Sequence, residues 1–345
     1  MNNSGSLCLF TVVMNRLHHL EQTLPANIRD NSHPSSYWLI LDYSSDDGLQ
    51  QYILDFFSDE LRRGRLQYHR YDYAKYFSHA HSRNLAVQLA NARYICNVDA
   101  DNYTGKDFDK YVLQTFSHHP NTVLSALSNT HKIYGAFGRM AVSRENFMQV
   151  GGYDETFDGY GFEDYDLVSR MEQYGLEKIM IEEPGFLKVI SHGNEDRVAR
   201  EWTNDQLLVL FRQQVSNNLQ VLLYLFRDQT FHYGVVNEDF AAGTHYRYSL
   251  AGDAWQTGTW MEQTGQLRLH FTNFSASFEH EGDYLTGNNH QLKKETRPEE
   301  LQEAILFHTN MGNSCRYRYN LHNKIIRVNE KGFGRGITQP LFIHQ

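Results

Sequence analysis

The chain has 345 residues, of which 21% are charged and 41% hydrophobic, and its formal net charge is −9 at pH 7. This balance is ordinary for a globular protein, and without a lysine- or arginine-rich block it argues against nucleic-acid binding and a polybasic membrane surface. No segment approaches the roughly 18 continuous apolar residues of a membrane span, so we expect a soluble, cytoplasmic protein. Three widely spaced cysteines form neither a disulfide framework nor a zinc site.

Short apolar runs alternate with helical patterns through the first half of the chain. We predict strands at 7–14, 37–42, 66–70 and 94–98, with helices at 17–29, 49–57 and 82–91. The run at 7–14 has no basic residues before it, so it indicates a first strand and not a signal peptide. The alternation is typical of right-handed β-α-β units in a mostly parallel sheet, which binds ligands at the carboxyl ends of its strands.

The pattern changes after residue 202. Between 203 and 228 the apolar residues recur at helical spacing, which predicts one or two amphipathic helices that close the first domain or bridge outward. A helix used for self-association, and hence a homo-oligomer, is the alternative interpretation.

The region from 231 onward has the texture of a β-rich domain. Short alternating runs at 246–250, 258–262, 266–271 and 275–280 are separated by turn residues and are followed by a short helix at 298–307. We therefore predict a catalytic domain at 1–202, a helical bridge at 203–230 and a β-rich accessory module at 231–345.

Paired carboxylates follow the predicted strand at 94–98. Asp99 and Asp101 alternate around Ala100, and in an extended segment this spacing places both carboxylates on the same side. Hard divalent ions such as Mg²⁺ and Mn²⁺ prefer oxygen ligands. Asp-x-Asp pairs are also common in surface loops, but here an apolar strand ends directly on the pair, which favours a metal site.

The segment 151–167 places five carboxylates among glycines and aromatics, just before a helical pattern. Neighbouring carboxylates can be held at different pKa values, as general-base catalysis requires. Glu163 and Asp164 are adjacent and point apart, so we expect them to have different roles. The alternative interpretation is an acidic helix N-terminus, and both can hold because the start of a helix is a rigid platform. His192 follows another short apolar run and is a candidate metal ligand, although one of 18 histidines can also be an ordinary surface residue.

Several ordered motifs resemble the inverting glycosyltransferases of the A-type (GT-A) fold, a broad family of bacterial sugar transferases in polysaccharide biosynthesis, and in particular its beta-galactosyltransferase branch. The matching features are Asn15-Arg16, Asp42, Arg83-Asn84, Asp99-Ala100-Asp101, Gly151-Gly152-Tyr153-Asp154, Gly161-Phe162-Glu163-Asp164 and His192. They cover about two-thirds of the chain. The resemblance implies a Rossmann-like α/β domain that transfers a hexose or N-acetylhexosamine, with inversion, from a UDP-sugar to a hydroxyl of a glycan or other acceptor.

The resemblance also implies a role for each site residue. Asp164 is the general base and Glu163 helps to bind the acceptor. The metal ligands for Mn²⁺ or Mg²⁺ are Asp101, Asp99 and His192, and the nucleotide or donor contacts are Arg16, Asp42, Arg83, Asp99 and Tyr160.

The chain departs from the family pattern at two positions. Val189 stands where the family has a methionine ligand, so one soft ligand is missing and we expect no strict preference for Mn²⁺. Phe162 stands where the family usually has glycine, so we expect a reshaped acceptor pocket.

Two other functions are consistent with parts of the sequence, and a third is not. A retaining transferase has the same fold, and a non-catalytic carbohydrate-binding protein fits the C-terminal region. A sugar nucleotidyltransferase needs a glycine-rich phosphate loop after the first strand, which residues 14–19 do not form.

Overall fold

The computed structural model describes residues 6–127, 136–238, 248–287 and 290–341. The chain divides into two compact units. The first comprises residues 1–158, 162–192 and 317–345, and the second comprises residues 159–161 and 193–316.

Among the residues that the structure describes up to position 192, seven strands and six helices belong to the first unit. The strands are β1 (Leu7–Val13), β2 (Ser36–Tyr43), β3 (Leu66–Tyr71), β4 (Tyr94–Asn97), β5 (Thr122–Ser125), β6 (Met140–Ser143) and β7 (Glu177–Met180). The helices are α1 (Leu17–Asp30), α2 (Leu49–Arg62), α3 (His79–Leu89), α4 (Phe108–His118), α5 (Arg144–Gln149) and α6 (Glu163–Tyr174), and a single 3₁₀ turn covers Pro184–Phe186.

The rest of the chain is rich in β-strands. After α7 (Asn194–Val198) and α8 (Trp202–Gln206) come β8 (Leu207–Ser216), β9 (Leu219–Phe226), β10 (Thr230–Glu238), β11 (Tyr248–Leu250), β12 (Gln256–Gln263), β13 (Gln266–Phe271), β14 (Ser275–Glu281), β15 (Tyr284–Gly287) and β16 (His290–Lys294). The long helix α9 (Pro298–His322) and the two-residue strand β17 (Gln339–Pro340) follow. Residues 246 and 247 of the predicted strand at 246–250 lie outside the described residues.

The sheet of the first unit has the strand order β17-β3-β2-β1-β4-β6-β5-β7. The pairs β1–β2, β1–β4, β2–β3 and β5–β7 are parallel, and β4–β6, β5–β6 and β17–β3 are antiparallel. Four of its seven pairings are therefore parallel, and the predicted α/β, Rossmann-like class of this unit is confirmed.

Both faces of this sheet are covered, because alternate residues of its strands enter different cores. Leu7 and Leu9 of β1 pack with α1, α2 and α4, whereas Cys8 and Phe10 pack with α3, α5 and α6. All seven residues of β1 are buried. A strand covered on both faces appears in the sequence as a continuous apolar run, which is why this strand was recognisable.

The second unit contains an antiparallel barrel. Its strand order is β11-β10-β12-β13-β14-β15-β16-β8-β9, and an additional β10–β9 pairing closes the eight strands other than β11. Large apolar side chains such as Phe211, Phe231 and Phe278 fill one core of this unit, and α9 contributes Leu301 and Phe307 to another. The predicted β-rich region is confirmed.

The predicted helical bridge at 203–230 is wrong. Residues 207–216 and 219–226 are the antiparallel strands β8 and β9, and only Trp202–Gln206 is helical. The side chains of Val221, Leu223 and Leu225 are buried in one core, and those of Leu222, Tyr224 and Phe226 are buried in another. Because both faces of β9 are buried, its apolar run has no two-residue period and cannot be distinguished from a buried helix by pattern alone.

The predicted boundary between the catalytic domain and the C-terminal module also needs correction. The helix predicted at 298–307 extends to His322, and residues 317–345 belong to the first unit. In the same unit β17 pairs with β3. Within the described part of the chain, none of the helices combines the length and apolar character that a membrane crossing requires.

Candidate active site

The loops that follow β1 and β2 are tied together at the carboxyl edge of the sheet. The Asn15 N–H donates to Ser45 Oγ at 3.0 Å, and Asn15 Oδ1 accepts from the Asp46 N–H at 2.7 Å. Asn15 has a positive φ of 54°, a conformation that asparagine adopts more readily than most residues. The chain therefore turns sharply here, and Arg16 begins the approach to α1.

Arg16 lies where its charge acts on two histidines. It contributes, after burial, to lowering the pKa of His19 to about 4 and that of His79 to about 3. Arg16 is half-buried, so a predicted contact with a nucleotide is compatible with its position.

Asp42 lies inside the protein and not on its surface. Its side chain is fully buried, Oδ1 accepts from the Ser45 N–H at 2.8 Å, and Oδ2 accepts from Arg70 Nη1 at 2.7 Å and from the Tyr68 hydroxyl. In this conformation Asp42 shapes the loop from within and presents no surface to the predicted nucleotide base.

Arg83 of α3 joins three of the predicted site carboxylates. Nη1 donates to Glu163 Oε1 at 2.9 Å and to Asp164 Oδ1 at 3.0 Å, while Nη2 donates to Asp99 Oδ1 at 3.1 Å. The side chain is only 4% exposed, so almost none of its surface is open to the predicted contact with a diphosphate. Instead, a buried cation stabilises a group of anions whose mutual repulsion would otherwise be large.

Asp164 has the most strongly perturbed carboxyl group of this cluster. Burial, with the charges of Glu163 and Asp99, raises its pKa to about 7, although Arg83 and a hydrogen bond from Tyr153 act in the opposite direction. His79 Nδ1 lies 3.9 Å from Glu163 Oε1, and burial together with Arg83 keeps this imidazole neutral. A carboxylate with such a pKa is a competent base near neutral pH.

Asp164 and Glu163 occupy the first turn of α6, where the helix dipole favours negative charge. Phe162 precedes them as the N-cap with a φ of 70°, so a bulky residue occupies the left-handed region that glycine prefers. Asp164 Oδ1 accepts from Arg83 and from the Tyr153 hydroxyl at 3.1 Å. None of the described residues donates to Oδ2, and the Asp164 side chain is 13% exposed against 5% for Glu163.

Asp101 and His192 form a second pair at the same edge of the sheet. Nε2 of His192 lies 3.0 Å from Asp101 Oδ2, and Asn102 donates to Oδ1 at 2.6 Å. The segment that carries His192 is joined to this loop, because Asn102 and Val189 form a β-bridge and the Ile190 N–H donates to the Asp101 carbonyl. Although burial opposes it, the His192 and Asn102 bonds lower the pKa of Asp101.

This donor set fits a divalent ion. Asp101 supplies a carboxylate oxygen and His192 an imidazole nitrogen, both partly exposed and already within 3.0 Å of each other. Asp99 is two residues away and 27% exposed, and Asn97 Nδ2 donates to its Oδ1 at 3.0 Å.

Because Gly138 has no side chain, Asp99 and Arg83 can occupy the space beside it. A Cβ atom at this position would lie 2.5 Å from Asp99 Oδ2 and 2.9 Å from Arg83 Nη2. Any larger residue would collide with the cluster.

Tyr160 belongs to the second unit, where the Arg197 guanidinium lies 5.7 Å from the centre of its ring. The other predicted site residues all belong to the first unit. Among these, Arg83 joins Asp99, Glu163 and Asp164, Asp101 contacts His192, and Asp42 is enclosed by separate partners.

Sequence reasoning assigned no role to Tyr153, Asn84 or Asn97. Tyr153 lies inside the Gly151-Gly152-Tyr153-Asp154 motif, so the motif indicated the residue but did not predict its contact with Asp164. Asn84 holds the Tyr153 backbone with two hydrogen bonds of 2.8 Å. The contact between α3 and this loop spans 69 residues and left no local signal in the sequence.

A comparison with protein families agrees with the motifs. Residues 119–192 match the family model described as the N-terminal domain of galactosyltransferase. Over this segment the chain is galactosyltransferase-like. The segment contains Tyr153, Glu163, Asp164 and His192, which confirms the predicted resemblance there. No curated protein matches the chain significantly.

Several solved structures resemble the chain at low identity. S. aureus TarS 1-349 is 14% identical over 52% of this chain and 58% of its own, with a TM-score of 0.43. The mannosyltransferase PcManGT from Pyrobaculum calidifontis, in complex with GDP-Man and Mn²⁺, is 16% identical over 51% and 55%, with a TM-score of 0.44. Drosophila beta1,4galactosyltransferase 7 is 17% identical over 61% and 76%, with a TM-score of 0.39. The matches span little more than half the length of the first two structures.

Proposed function

We propose that this protein is a metal-dependent, inverting glycosyltransferase. It transfers a hexose or N-acetylhexosamine from a UDP-sugar to a hydroxyl of a glycan or other acceptor, and a growing polysaccharide is the acceptor class we favour. The observation that carries the proposal is Asp164 on the first turn of α6, with one oxygen held by Arg83 and Tyr153 and the other without a described partner. It lies within the segment that matches galactosyltransferases.

Asp164 is the base in this reaction. Its Oδ2 takes the proton of the acceptor hydroxyl while the acceptor oxygen bonds to the anomeric carbon. The bond from that carbon to the diphosphate oxygen breaks on the opposite face, so UDP leaves and the configuration inverts. An aspartate with an ordinary pKa is too weak a base at neutral pH. The raised pKa of about 7 brings the basicity of Asp164 close to what the reaction needs at that pH.

Arg83 and Glu163 keep the base in place. The two bonds from Nη1 fix the adjacent carboxylates relative to each other, and the third contact connects them to Asp99. Glu163 is the more deeply buried of the pair, so we assign it an orienting role beside the acceptor and not the proton transfer.

Asp101 and His192 would hold a divalent ion, with Asp99 as a further oxygen ligand. Bound there, Mn²⁺ or Mg²⁺ would neutralise the diphosphate charge. Arg16 is the residue we propose for the nucleotide phosphates or base, and Tyr160 for stacking on a sugar. Asp42 and Arg83 would support donor binding indirectly, since both side chains are enclosed.

Release of UDP from a panel of UDP-sugars, with and without glycan acceptors, tests the proposal. We expect acceptor-dependent release with at least one donor, and a product whose anomeric configuration by NMR is opposite to that of the donor. A product with retained configuration would contradict the inverting mechanism. Sugar binding without any turnover would indicate a carbohydrate-binding protein instead.

Titration calorimetry with UDP tests the metal site. We expect binding in Mn²⁺ or Mg²⁺ to weaken at least tenfold in EDTA, and the metal effect to disappear in His192→Ala but not in His322→Ala, which removes an exposed histidine at the end of α9. Equal affinity for UDP with metal and with EDTA would contradict a metal-dependent donor site.

A further inference from the structure

The C-terminal segment 325–341, here called the C-terminal strap, packs against the loop that carries Tyr153. The Val328 N–H donates to the Val150 carbonyl at 3.3 Å, and a Cβ on Gly151 would lie 2.2 Å from the Val328 carbonyl oxygen. Phe333 is buried in the core beside Phe147. The strap and the loop therefore touch backbone to backbone, with no room for a side chain between them at Gly151.

Asn329 of the strap uses its whole side-chain amide on this loop. Nδ2 donates to the Gly151 carbonyl at 2.9 Å and to the Tyr153 carbonyl at 2.6 Å. Oδ1 accepts from the Glu155 N–H at 3.2 Å. The Asn329 side chain thus makes three hydrogen bonds to three residues of the segment 151–155.

The loop is also held from its other side by α3. Asn84 makes two hydrogen bonds to the Tyr153 backbone, and Glu155 Oε1 accepts from Asn84 Nδ2 at 3.0 Å and from the Gly334 N–H of the strap at 2.7 Å. With its backbone fixed from both sides, Tyr153 has a defined position for its hydroxyl, which donates to Asp164 Oδ1.

We propose that Asn329 is a positioning residue of the active site, which acts through Tyr153 on the base Asp164. The catalytic consequence rests on the proposed function, but the physical link from Asn329 to Asp164 does not. A segment about 165 residues beyond the base in the sequence thereby takes part in setting its protonation and orientation.

The backbone at Asn329 provides a clean substitution. Its φ is 53°, which glycine adopts without strain, so Asn329→Gly removes the amide and leaves the backbone conformation accessible. Lys324 has a φ of 52° on the preceding turn and is exposed. Lys324→Gly is therefore a matched control that makes the same backbone change without touching the loop.

Two measurements that do not require turnover decide the link. In Asn329→Gly, hydrogen exchange of the backbone amides at 150–158 should accelerate at least tenfold. The carboxyl group of Asp164 should titrate at a higher pH, because the Tyr153 hydroxyl donates to it less well. The signal of its carboxyl carbon is assigned by its disappearance in Asp164→Asn. Lys324→Gly should change neither. Unchanged exchange and titration in Asn329→Gly would overturn the proposal.

Steady-state kinetics test the catalytic consequence. We expect Asn329→Gly to lower kcat about tenfold, to leave the KM for the UDP-sugar within about twofold and to move the acidic limb of the pH–rate profile upward. Asn329→Asp, which places a carboxylate against two carbonyl oxygens, should change the same quantities in the same direction. A wild-type protein inactive with every donor would refute the proposed function, while exchange and titration would still decide the role of Asn329. Normal kcat and pH profile in both variants would overturn the proposal.

Discussion

At the scale of single residues, the cluster around Arg83 holds more negative than positive charge. One guanidinium contacts Asp99, Glu163 and Asp164, and the imbalance is relieved when Asp164 binds a proton. The same imbalance that costs stability supplies a base with a pKa near neutrality.

The pH dependence of the transfer reaction should therefore follow Asp164. The carboxyl must be ionised to accept a proton, so kcat/KM should rise with pH through about 7 and level off above it. The pKa is raised above its unfolded value, so the native state binds more protons between about pH 4 and 7, and stability should fall as pH rises through that window. A kcat/KM that is already constant from pH 5 upward would contradict this assignment.

Gly138 provides a steric test of the cluster. Gly138→Ala places a Cβ within 3 Å of Asp99 Oδ2 and Arg83 Nη2, so we expect transfer to fall at least tenfold and stability to fall by about 1–3 kcal/mol. Gly312→Ala in α9, where the added Cβ meets its nearest atoms at 3.7 Å, is the matched control and should behave as wild type. Initial rates and urea unfolding of the two variants make the comparison. Wild-type rates in Gly138→Ala would show that the cluster tolerates displacement.

At the scale of elements, the sequence predicted best where burial is regular and neighbours are close in the chain. Strands β1 to β4 and helices α1 to α3 were predicted within a few residues, because strands and helices follow one another in the sequence in the same order in which they pack. The strand β9 was missed because both its faces are buried, and the length of α9 was missed because it has no sharp amphipathic pattern.

The candidate site was predictable to the same extent. The Asp-x-Asp pair, the Gly161-Phe162-Glu163-Asp164 motif and His192 were identified from motifs. The contacts that hold the base in place were not, since Arg83 reaches Asp164 across 81 residues of sequence and Asn329 reaches Tyr153 across 176. Arg83 and Asp42 were expected to face a ligand, but a sequence does not record that a charged side chain is enclosed by others.

The last turns of α9 have a structural role that can be measured. Asn320 is 1% exposed, and its Nδ2 donates to Asp166 Oδ1 at 2.8 Å and to Asp154 Oδ2 at 3.2 Å. Asn320→Ala leaves two buried carboxylates short of a donor, so we expect a loss of about 1–3 kcal/mol in urea unfolding. Asn323→Ala, which removes a bond only to the exposed Tyr319 carbonyl, should lose less than about 0.5 kcal/mol. Equal stabilities would contradict the role assigned to Asn320.

At the scale of the whole molecule, the first unit is assembled from separate parts of the chain. Residues 193–316 of the second unit intervene between His192 and the final residues of the first. A chain ending at Asp228 or at Lys324 therefore lacks the strap and leaves the core around Phe147 open. We expect the chain that ends at Lys324 to unfold at a temperature at least 10 °C lower than a chain ending at Leu341, or to aggregate. Equal melting temperatures in calorimetry would show that the strap is dispensable.

The role of Asp164 as the base is tested by the transfer rate of Asp164→Asn, measured with the donor and acceptor that the wild type uses. Asparagine keeps the shape of the side chain but cannot take the proton, so transfer should fall by about 10² or more while UDP affinity stays within a few-fold. Glu163→Gln should be less damaging, because Glu163 orients and does not accept the proton. Near-wild-type turnover in Asp164→Asn, or a larger loss in Glu163→Gln, would show that Asp164 is not the base.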